Sequence, residues 1–196
     1  MMPASILFLT LVTSMPVISS TAAFSGDELK RIDKGEILVK RGTPKDGEGV
    51  TARMVALIKA PVSKVSPLVH ECEHFSKFVP RTIKSEKRSE SGNHRLCYVE
   101  IDAPFPLSNL WALTDAYSRT FKDGRFLRKW YLREGSFKKN TGYWSLIPYG
   151  AKRQQTLAIY WVETKPDIAV PSFIIRSAQA SSLPKLIKAI RKRVAR

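Results

Sequence analysis

Six strand-like segments follow one another between Val79 and Glu163, with no helical segment among them. Their alternating apolar residues and their β-branched and aromatic content predict strands. The segments are Val79–Lys87, His94–Ile101, Leu110–Phe121, Phe126–Arg133, Tyr143–Ile147 and Gln155–Glu163. Turn-forming residues at 91–93, 122–124 and 138–140 predict hairpins between several of them. Strands joined in this way form an antiparallel sheet, which must bury one face.

Helical segments that could cover this sheet are few. Two further strands are predicted at 36–41 and 50–59, and a short amphipathic helix at 27–34. From Val62 to Phe75 apolar residues recur every three or four positions, which predicts a helix that Pro67 kinks or splits. A last helix is predicted from Phe173 to Arg196. We therefore predict an α+β fold in which a curved antiparallel sheet grips the C-terminal helix and leaves an apolar hollow.

The stretch from His70 to His74, HECEH, matches the H-E-x-x-H pattern of zinc hydrolases. A zinc site needs both histidines on a helix face that points into a cleft, with a third ligand elsewhere. On a helix, His70 and His74 share a face, but it lies opposite the apolar stripe. We therefore expect an exposed polar helix face and no metal site.

The first 23 residues have the layout of a secretory signal: an apolar run and then small residues before the first charge. We predict a signal peptide at 1–23, a folded domain at 24–196, and export to a periplasm or out of the cell. In an oxidising compartment Cys72 and Cys97 could form a disulfide, and two buried thiols are the alternative.

Basic residues exceed acidic ones by 33 to 17, a net charge of +16. Such a surface attracts anionic membranes and nucleic acid alike. The sequence lacks the G-x-x-x-x-G-K-[ST] and G-x-G-x-x-G patterns of nucleotide-binding loops and the G-x-S-x-G elbow of α/β-hydrolases. We expect no specific nucleic-acid partner, and non-specific binding through the basic surface is the weaker hypothesis.

The predicted strands hold many large aromatic residues, some of which must face the interior, and residues of the same parity include an ion. Asp115 and Arg128 could form an ion pair inside a ligand cavity, because a buried ion needs a partner. The alternative is that one or both face solvent and the residues of opposite parity form the core. The candidate cavity residues are Trp111, Leu113, Asp115, Tyr117, Arg128, Trp130, Tyr143, Tyr160 and Phe173.

Several short sequence motifs occur in an order that resembles the START lipid-transfer domains and the wider helix-grip superfamily. That superfamily includes Bet v 1-like and polyketide cyclase-like proteins. The motifs are IKAPVSKV at 58–65, FVP at 78–80, APFPLSN at 103–109, GYWSLIP at 142–148, the strand with Tyr160, and VP at 170–171 before the last helix. The resemblance covers Gly35 to Arg196. Asn109-Leu110 replaces the Arg-Asp of START domains. By counting, a cavity basic residue of sterol-binding relatives falls near Asp115, so sterol binding does not carry over.

The resemblance implies a monomer that shields a hydrophobic molecule such as a lipid, needs no cofactor, and uses its C-terminal helix as a movable lid. Basic residues around that helix would contact an anionic membrane during transfer: Lys185, Lys188, Arg191 and Lys192. We expect a carrier without catalytic activity. The alternative is a cyclase- or hydrolase-like enzyme of the same superfamily with Asp115, Arg128 or a histidine as its acid–base group.

Overall fold

The computed structural model describes Val17 and residues 20–103, 108–168 and 172–195. Eight antiparallel strands form one sheet in the order β1-β2-β8-β7-β6-β5-β4-β3. The strands are β1 (Leu38–Gly42), β2 (Val50–Ile58), β3 (Thr82–Ser91), β4 (His94–Ile101), β5 (Leu110–Thr120), β6 (Phe126–Gly135), β7 (Phe137–Tyr149) and β8 (Gln155–Pro166). The helices are α1 (Gly26–Asp33), α2 (Val62–His70) and α3 (Ser172–Val194), with short 3-10 helices at Thr21–Ala23 and Cys72–Lys77. The predicted helix-grip α+β fold is confirmed.

The inner face of the sheet packs against α2 and α3. Their buried residues, among them Val65, Leu183 and Ile187, join strand residues such as Met54 and Trp144 in one hydrophobic cluster. Pro184 lies inside α3, and because proline has no N–H, the helix lacks one backbone hydrogen bond there. The second half of α3 is held on the sheet by Ile187 and Ile190. The missing backbone hydrogen bond weakens the helix in the turn that precedes Pro184.

A second cluster lies on the outer face of the same sheet, where α1 covers β2, β7 and β8. It contains Ile32 of α1 together with Val55, Tyr143 and Ile159. A capping box of Ser25 and Glu28 begins α1 and fixes its position on the sheet. This cover explains why the middle of β2 is apolar on both faces.

The hairpin between β6 and β7 lies at Gly135 and Ser136, so the prediction of a turn at 138–140 is wrong. Gly135 has φ +143°, a conformation that favours glycine, and its Cα lies against the backbone of β5. Lys139 pairs with Glu163 at 2.5 Å, and Asn140 accepts a hydrogen bond from the indole of Trp130 at 3.1 Å. These strand partners satisfy polar residues that resemble a turn in the sequence.

Cys72 and Cys97 form a disulfide with Cα atoms 6.1 Å apart, which decides between the two alternatives left open by the sequence. It ties the second 3-10 helix to β4 on the inner side of the sheet. Cys72 is fully buried and Cys97 is 1% exposed.

The edge strand β3 has the sequence TIKSEKRSES and is polar along most of its length. Eight of its ten residues are exposed or partly buried. Its pairing with β4 shifts register twice, between Thr82 and Lys84 and between Lys87 and Ser89. No helix among the described residues has the length and apolar character needed to cross a membrane. Three parts of the sequence analysis fall outside the described residues: most of the predicted signal peptide, the middle of the motif at 103–109, and the Val170-Pro171 motif. The signal peptide and its cleavage stay predictions.

Candidate functional site: an apolar cavity under the C-terminal helix

Two adjoining chambers lie between the inner face of the sheet and α3. The outer chamber has a volume of about 300 Å³, and its wall includes Ile174, Ala178 and Leu183 of α3. The inner chamber of about 200 Å³ lies beneath α2 and the second 3-10 helix. The two share a wall of Val79, Pro80, Ile101, Asn140, Tyr160 and Leu186. Such a hollow is of the kind that accepts a small apolar ligand.

The outer chamber opens to solvent at Arg81 and Asp102, two exposed residues of its wall that form a 3.3 Å ion pair. Every wall residue of the inner chamber is buried or partly buried. The wall of the outer chamber is therefore the more exposed of the two.

Phe173 and Ile168 are large, exposed apolar side chains that are close in sequence to residues of the outer chamber wall. Phe173 is 71% exposed and Ile168 is 45% exposed. They flank wall residues in sequence, because Ile174 follows Phe173 and Pro166 precedes Ile168 by two positions. The chain segments next to the outer chamber wall thus carry an exposed apolar rim of Phe173 and Ile168.

Arg128 is the charged residue of the inner chamber. It is only 4% exposed. Its Nη2 donates to the sulfur of Cys97 at 3.6 Å, and its Nε has no hydrogen-bond partner. The guanidinium also lies 5.7 Å from the ring centre of Phe75 and 5.6 Å from that of Trp130. No carboxylate of the described residues is within ion-pair distance.

The contacts of Arg128 with the described residues do not offset the free-energy cost of burying its charge. Burying an unpaired ion costs several kcal/mol, whereas a cation–π contact contributes about 0.5–2 kcal/mol. Burial, together with the nearby charge of Arg95, lowers the pKa of Arg128 to about 10, so the group remains charged at neutral pH. The interior therefore contains a cation whose stabilisation is incomplete.

Arg95 gives a direct comparison, because it faces the same side of the sheet from β4. It is 5% exposed, and it pairs with Glu73 at 2.8 Å and with Glu90 at 2.5 Å. Within the described part of the chain, two carboxylates thus pair with Arg95 and none pairs with Arg128.

The other polar groups of the inner chamber are neutral. Thr114 donates its hydroxyl hydrogen to the carbonyl of Cys97 at 3.3 Å. Tyr160 lies against Trp130 and Trp144, with ring centres 5.6 and 4.8 Å apart, and burial raises the pKa of its hydroxyl well above the usual value. This tyrosine is a neutral hydrogen-bonding group at physiological pH.

Three predicted cavity residues lie in the wall: Arg128, Trp130 and Tyr160. They belong to β6 and β8, where the inward parity was assigned correctly. Whether any of them contacts a ligand stays a prediction.

The cavity position is wrong for Trp111, Leu113, Asp115 and Tyr117. On β5 the inward residues are Leu110, Ala112 and Thr114, which line the chambers. Because strand side chains alternate, the four predicted residues lie on the outer face. There Trp111 stacks on Tyr98 with ring centres 5.8 Å apart.

Asp115 does not pair with Arg128, since the two lie on opposite faces of the sheet. Instead its carboxylate accepts hydrogen bonds from His94 at 2.7 Å and from Arg133 at 2.8 Å. Burial opposes ionisation of Asp115, but these bonds outweigh it and lower the pKa of the carboxyl. The sequence alternative in which one ion faces solvent applies to Asp115.

Tyr143 and Phe173 are also misplaced by the sequence. Tyr143 belongs to the outer-face cluster, where it stacks on Trp161 with ring centres 5.9 Å apart. Phe173 points away from the chambers, because the inward side of the first turn of α3 is formed by Ile174 and Ile175.

The HECEH stretch does not form one helix face, because α2 ends at His70 and a 3-10 helix starts at Cys72. His70 is partly buried, with Nδ1 2.9 Å from the hydroxyl of Ser118, so the expectation that it points to solvent is wrong. His74 is exposed, with Nε2 3.8 Å from a carboxylate oxygen of Glu71. No group of three His, Cys, Asp or Glu side chains in the described ranges could hold a metal ion.

The basic residues of α3 divide into two kinds. Lys185, Lys188 and Lys192 are exposed. Arg191 is partly buried and donates to the carbonyl oxygens of Leu57 at 2.7 Å and Gly35 at 3.1 Å. Its predicted role in membrane contact is therefore corrected to one in fastening α3 to the sheet.

Sequence reasoning missed the small and polar residues of the wall, such as Ala112, Thr114 and Gln179. Gln179 lines the outer chamber, and its buried side-chain oxygen has no partner. A signal was present, because Ala112, Thr114 and Ala116 place small residues at every second position of β5. Small side chains leave space where helices approach the sheet.

Comparison with known proteins agrees with this geometry. The family model "Polyketide cyclase / dehydrase and lipid transport" matches residues 58–191. No curated protein resembles the sequence closely enough to count as a match.

Solved structures with the same fold include lipid-transfer and cyclase proteins. A STAR-related lipid transfer protein fragment from Xanthomonas axonopodis superposes with a TM-score of 0.71 at 18% identity, over 82% of this chain and 94% of that one. Human STARD10 gives 0.68 at 13% identity, over 91% and 81%. The Zhui aromatase/cyclase from Streptomyces sp. R1128 gives 0.60 at 9% identity, over 82% and 95%. Because the family model matches well over half of the chain, the protein belongs to the polyketide cyclase/dehydrase and lipid transport family.

Proposed function

We propose that the protein carries a hydrophobic molecule in the two chambers and exchanges it with a membrane. The observation that carries the proposal is the pair of adjoining apolar chambers, one of which opens to solvent beside Arg81 and Asp102. One of the proteins with the same fold, that from Xanthomonas axonopodis, is a lipid transfer protein by name, which supports a lipid as the guest.

Membrane contact would begin at the exposed apolar rim. Phe173 and Ile168 can insert into the interfacial region of a bilayer, as exposed apolar side chains of peripheral proteins do. Lys185, Lys188 and Lys192 lie within about 60° of one another around α3 and can face anionic headgroups. The missing hydrogen bond at Pro184 would let the first half of α3 move while Ile187 and Ile190 stay buried.

A vesicle transfer assay tests the carrier proposal. Protein is mixed with donor vesicles of phosphatidylcholine, phosphatidylglycerol and a fluorescent fatty acid, and transfer to acceptor vesicles is followed. We expect transfer to rise with protein concentration, and to fall in the Phe173→Ser/Ile168→Ser variant. The matched control is Tyr117→Ser, which changes a 44% exposed large side chain on the outer face of the sheet. Absence of both transfer and binding would contradict the proposal.

The lysines of α3 are tested by the triple variant Lys185→Gln/Lys188→Gln/Lys192→Gln. Each basic residue near an anionic surface contributes about 1 kcal/mol, so partition onto phosphatidylglycerol vesicles should weaken by up to about 100-fold. Glutamine at three exposed lysines elsewhere, Lys64, Lys122 and Lys152, removes the same charge. Equal weakening in both triple variants would show that only net charge matters.

An enzyme of the cyclase type is the second candidate, and the superposition on an aromatase/cyclase favours it. Acid–base chemistry would need a titrating group in the cavity. The described walls contain one carboxylate, Asp102 at the mouth, and no histidine, while the pKa of Tyr160 is raised by burial. These groups favour binding over proton transfer, and intact recovery of the bound molecule by mass spectrometry would support the carrier.

Export is part of the proposal. The disulfide between Cys72 and Cys97 is typical of oxidising compartments, and the apolar N-terminal run is typical of a secretory signal. Intact mass of the exported protein tests it, since cleavage after Ala23 leaves Phe24 as the first residue.

A further inference from the structure

Arg128 is a buried guanidinium that faces the inner chamber without a carboxylate partner among the described residues. We propose that the ligand is an amphipathic carboxylate, and that its anionic head enters the inner chamber and pairs with Arg128. The inference rests on the carrier function proposed above and specifies the ligand.

The hydrogen-bonding state of Arg128 favours an anion. Its Nε has no partner, and its Nη2 meets only the weak sulfur acceptor of Cys97. A guanidinium presents its N–H groups as a planar fork that matches the two oxygens of a carboxylate. The neighbouring inward arginine, Arg95, has this arrangement with Glu73 and Glu90. The ligand would supply to Arg128 what the protein supplies to Arg95.

The chamber walls favour a single negative charge over a zwitterionic headgroup. Because the described wall of the inner chamber contains no Asp or Glu, the cationic part of a zwitterion would find no counter-ion there. The second guanidinium in the vicinity, that of Arg95, is already paired, so a doubly charged phosphate would be under-compensated. Thr114 and Tyr160 can contribute only neutral hydrogen bonds.

The apolar body of such a ligand would extend outward. Val79, Ile101 and Leu186 belong to the wall that the two chambers share, so they form an apolar passage from Arg128 towards the mouth. The tail would then lie under the first half of α3, beside Ile174 and Leu183. A head-inward orientation follows because the charge lies in the inner chamber, whose wall residues are all buried or partly buried.

Binding of hexadecanoate and hexadecanol to delipidated protein tests the proposal. The two probes share the same chain and differ in the charge of the head. Titration calorimetry, or intrinsic tryptophan fluorescence, to which Trp130 beside Arg128 contributes, gives both affinities. We expect the wild type to bind hexadecanoate at least about 10-fold more tightly than hexadecanol. In Arg128→Met the preference should vanish while hexadecanol still binds, and Arg128→Lys should keep part of it.

Lys152→Met is the matched control, because it removes one positive charge from an exposed turn far from the cavity wall. It should keep the full preference for hexadecanoate. Loss of the preference in this variant as well would assign the effect to net charge and overturn the proposal.

The outcomes separate the two proposals. Equal affinity of the wild type for both probes, or a preference that survives in Arg128→Met, overturns the carboxylate inference and leaves the carrier function standing. Binding of neither probe contradicts both. If Arg128→Met fails to fold in a thermal unfolding control, the proposal is decided by the ratio of the affinities for hexadecanoate and hexadecanol in the wild type and in Arg128→Lys.

Discussion

Replacement of both cysteines by alanine measures how much the Cys72–Cys97 disulfide stabilises the folded chain. The bridge closes a loop across a sequence separation of 25 residues. In the loop-entropy description, a loop of this length reduces the entropy of the unfolded chain enough to contribute about 3.5 kcal/mol to the free energy of unfolding. For a protein of this size, that corresponds to a decrease of roughly 7–14 °C in Tm when the bridge is lost.

The assay is guanidinium chloride unfolding of four samples: the wild type and Cys72→Ala/Cys97→Ala, each with and without a thiol-free phosphine reductant. Because both cysteines are buried, the wild type is reduced while unfolded and then refolded. The difference in free energy of unfolding between oxidised and reduced wild type measures the contribution of the crosslink. The difference between reduced wild type and reduced variant measures the packing lost with the two sulfur atoms. Reduced and oxidised wild type that differ by less than about 1 kcal/mol would refute the reasoning.

Three further changes have expected outcomes. Gly142→Ala should lower the free energy of unfolding by about 1–3 kcal/mol or more, because the new Cβ would overlap an indole ring and a backbone oxygen; thermal unfolding measures it. Arg191→Met should cost about 1–3 kcal/mol, because two backbone carbonyls lose their donor. Hydrogen bonds from Lys87 and Arg95 lower the pKa of Glu90 to about 2, so its contribution to stability is complete above pH ~4.5 and is lost as the pH falls towards ~2. Glu90→Gln should therefore flatten the decrease in Tm between neutral and acidic pH.

Matched controls accompany these three changes. Gly26→Ala adds a Cβ that meets nothing within 4 Å. Lys192→Met removes an exposed basic residue one position from Arg191, and Glu134→Gln neutralises an exposed carboxylate. Effects in the controls as large as those in the test variants would contradict the contacts on which the predictions depend.

The order of elements was predictable because strands and helices differ in the period of their apolar residues. The direction in which a strand faces was predicted correctly for β6, where Arg128 and Trp130 line the inner chamber. On β5 both parities are apolar, and the larger side chains lie outside, stacked as Trp111 is on Tyr98, while small ones face the cavity. An inference that places the largest residues in the interior fails for a protein whose interior is hollow.

Long-range partners were beyond the reach of the sequence. Arg191 resembles its basic neighbours on α3, and only the fold brings it to the carbonyl of Leu57, 134 positions away. The partners of Asp115, His94 and Arg133, are likewise fixed by strand register. His94 lies opposite Tyr117, two positions from Asp115, and Arg133 lies two positions from Tyr131, which is opposite Asp115. Charge and periodicity predict that a residue needs a partner, and they do not say which one it finds.

An open sheet has two boundary strands whose backbone groups could recruit a foreign strand, and the polar edge strand β3 is suited to prevent this. Lysine, arginine and glutamate side chains along it would be desolvated by a docking chain, and its two register shifts break the straight row of donors and acceptors. The protein can therefore keep its sheet unclosed around a guest without acquiring a tendency to polymerise along that border.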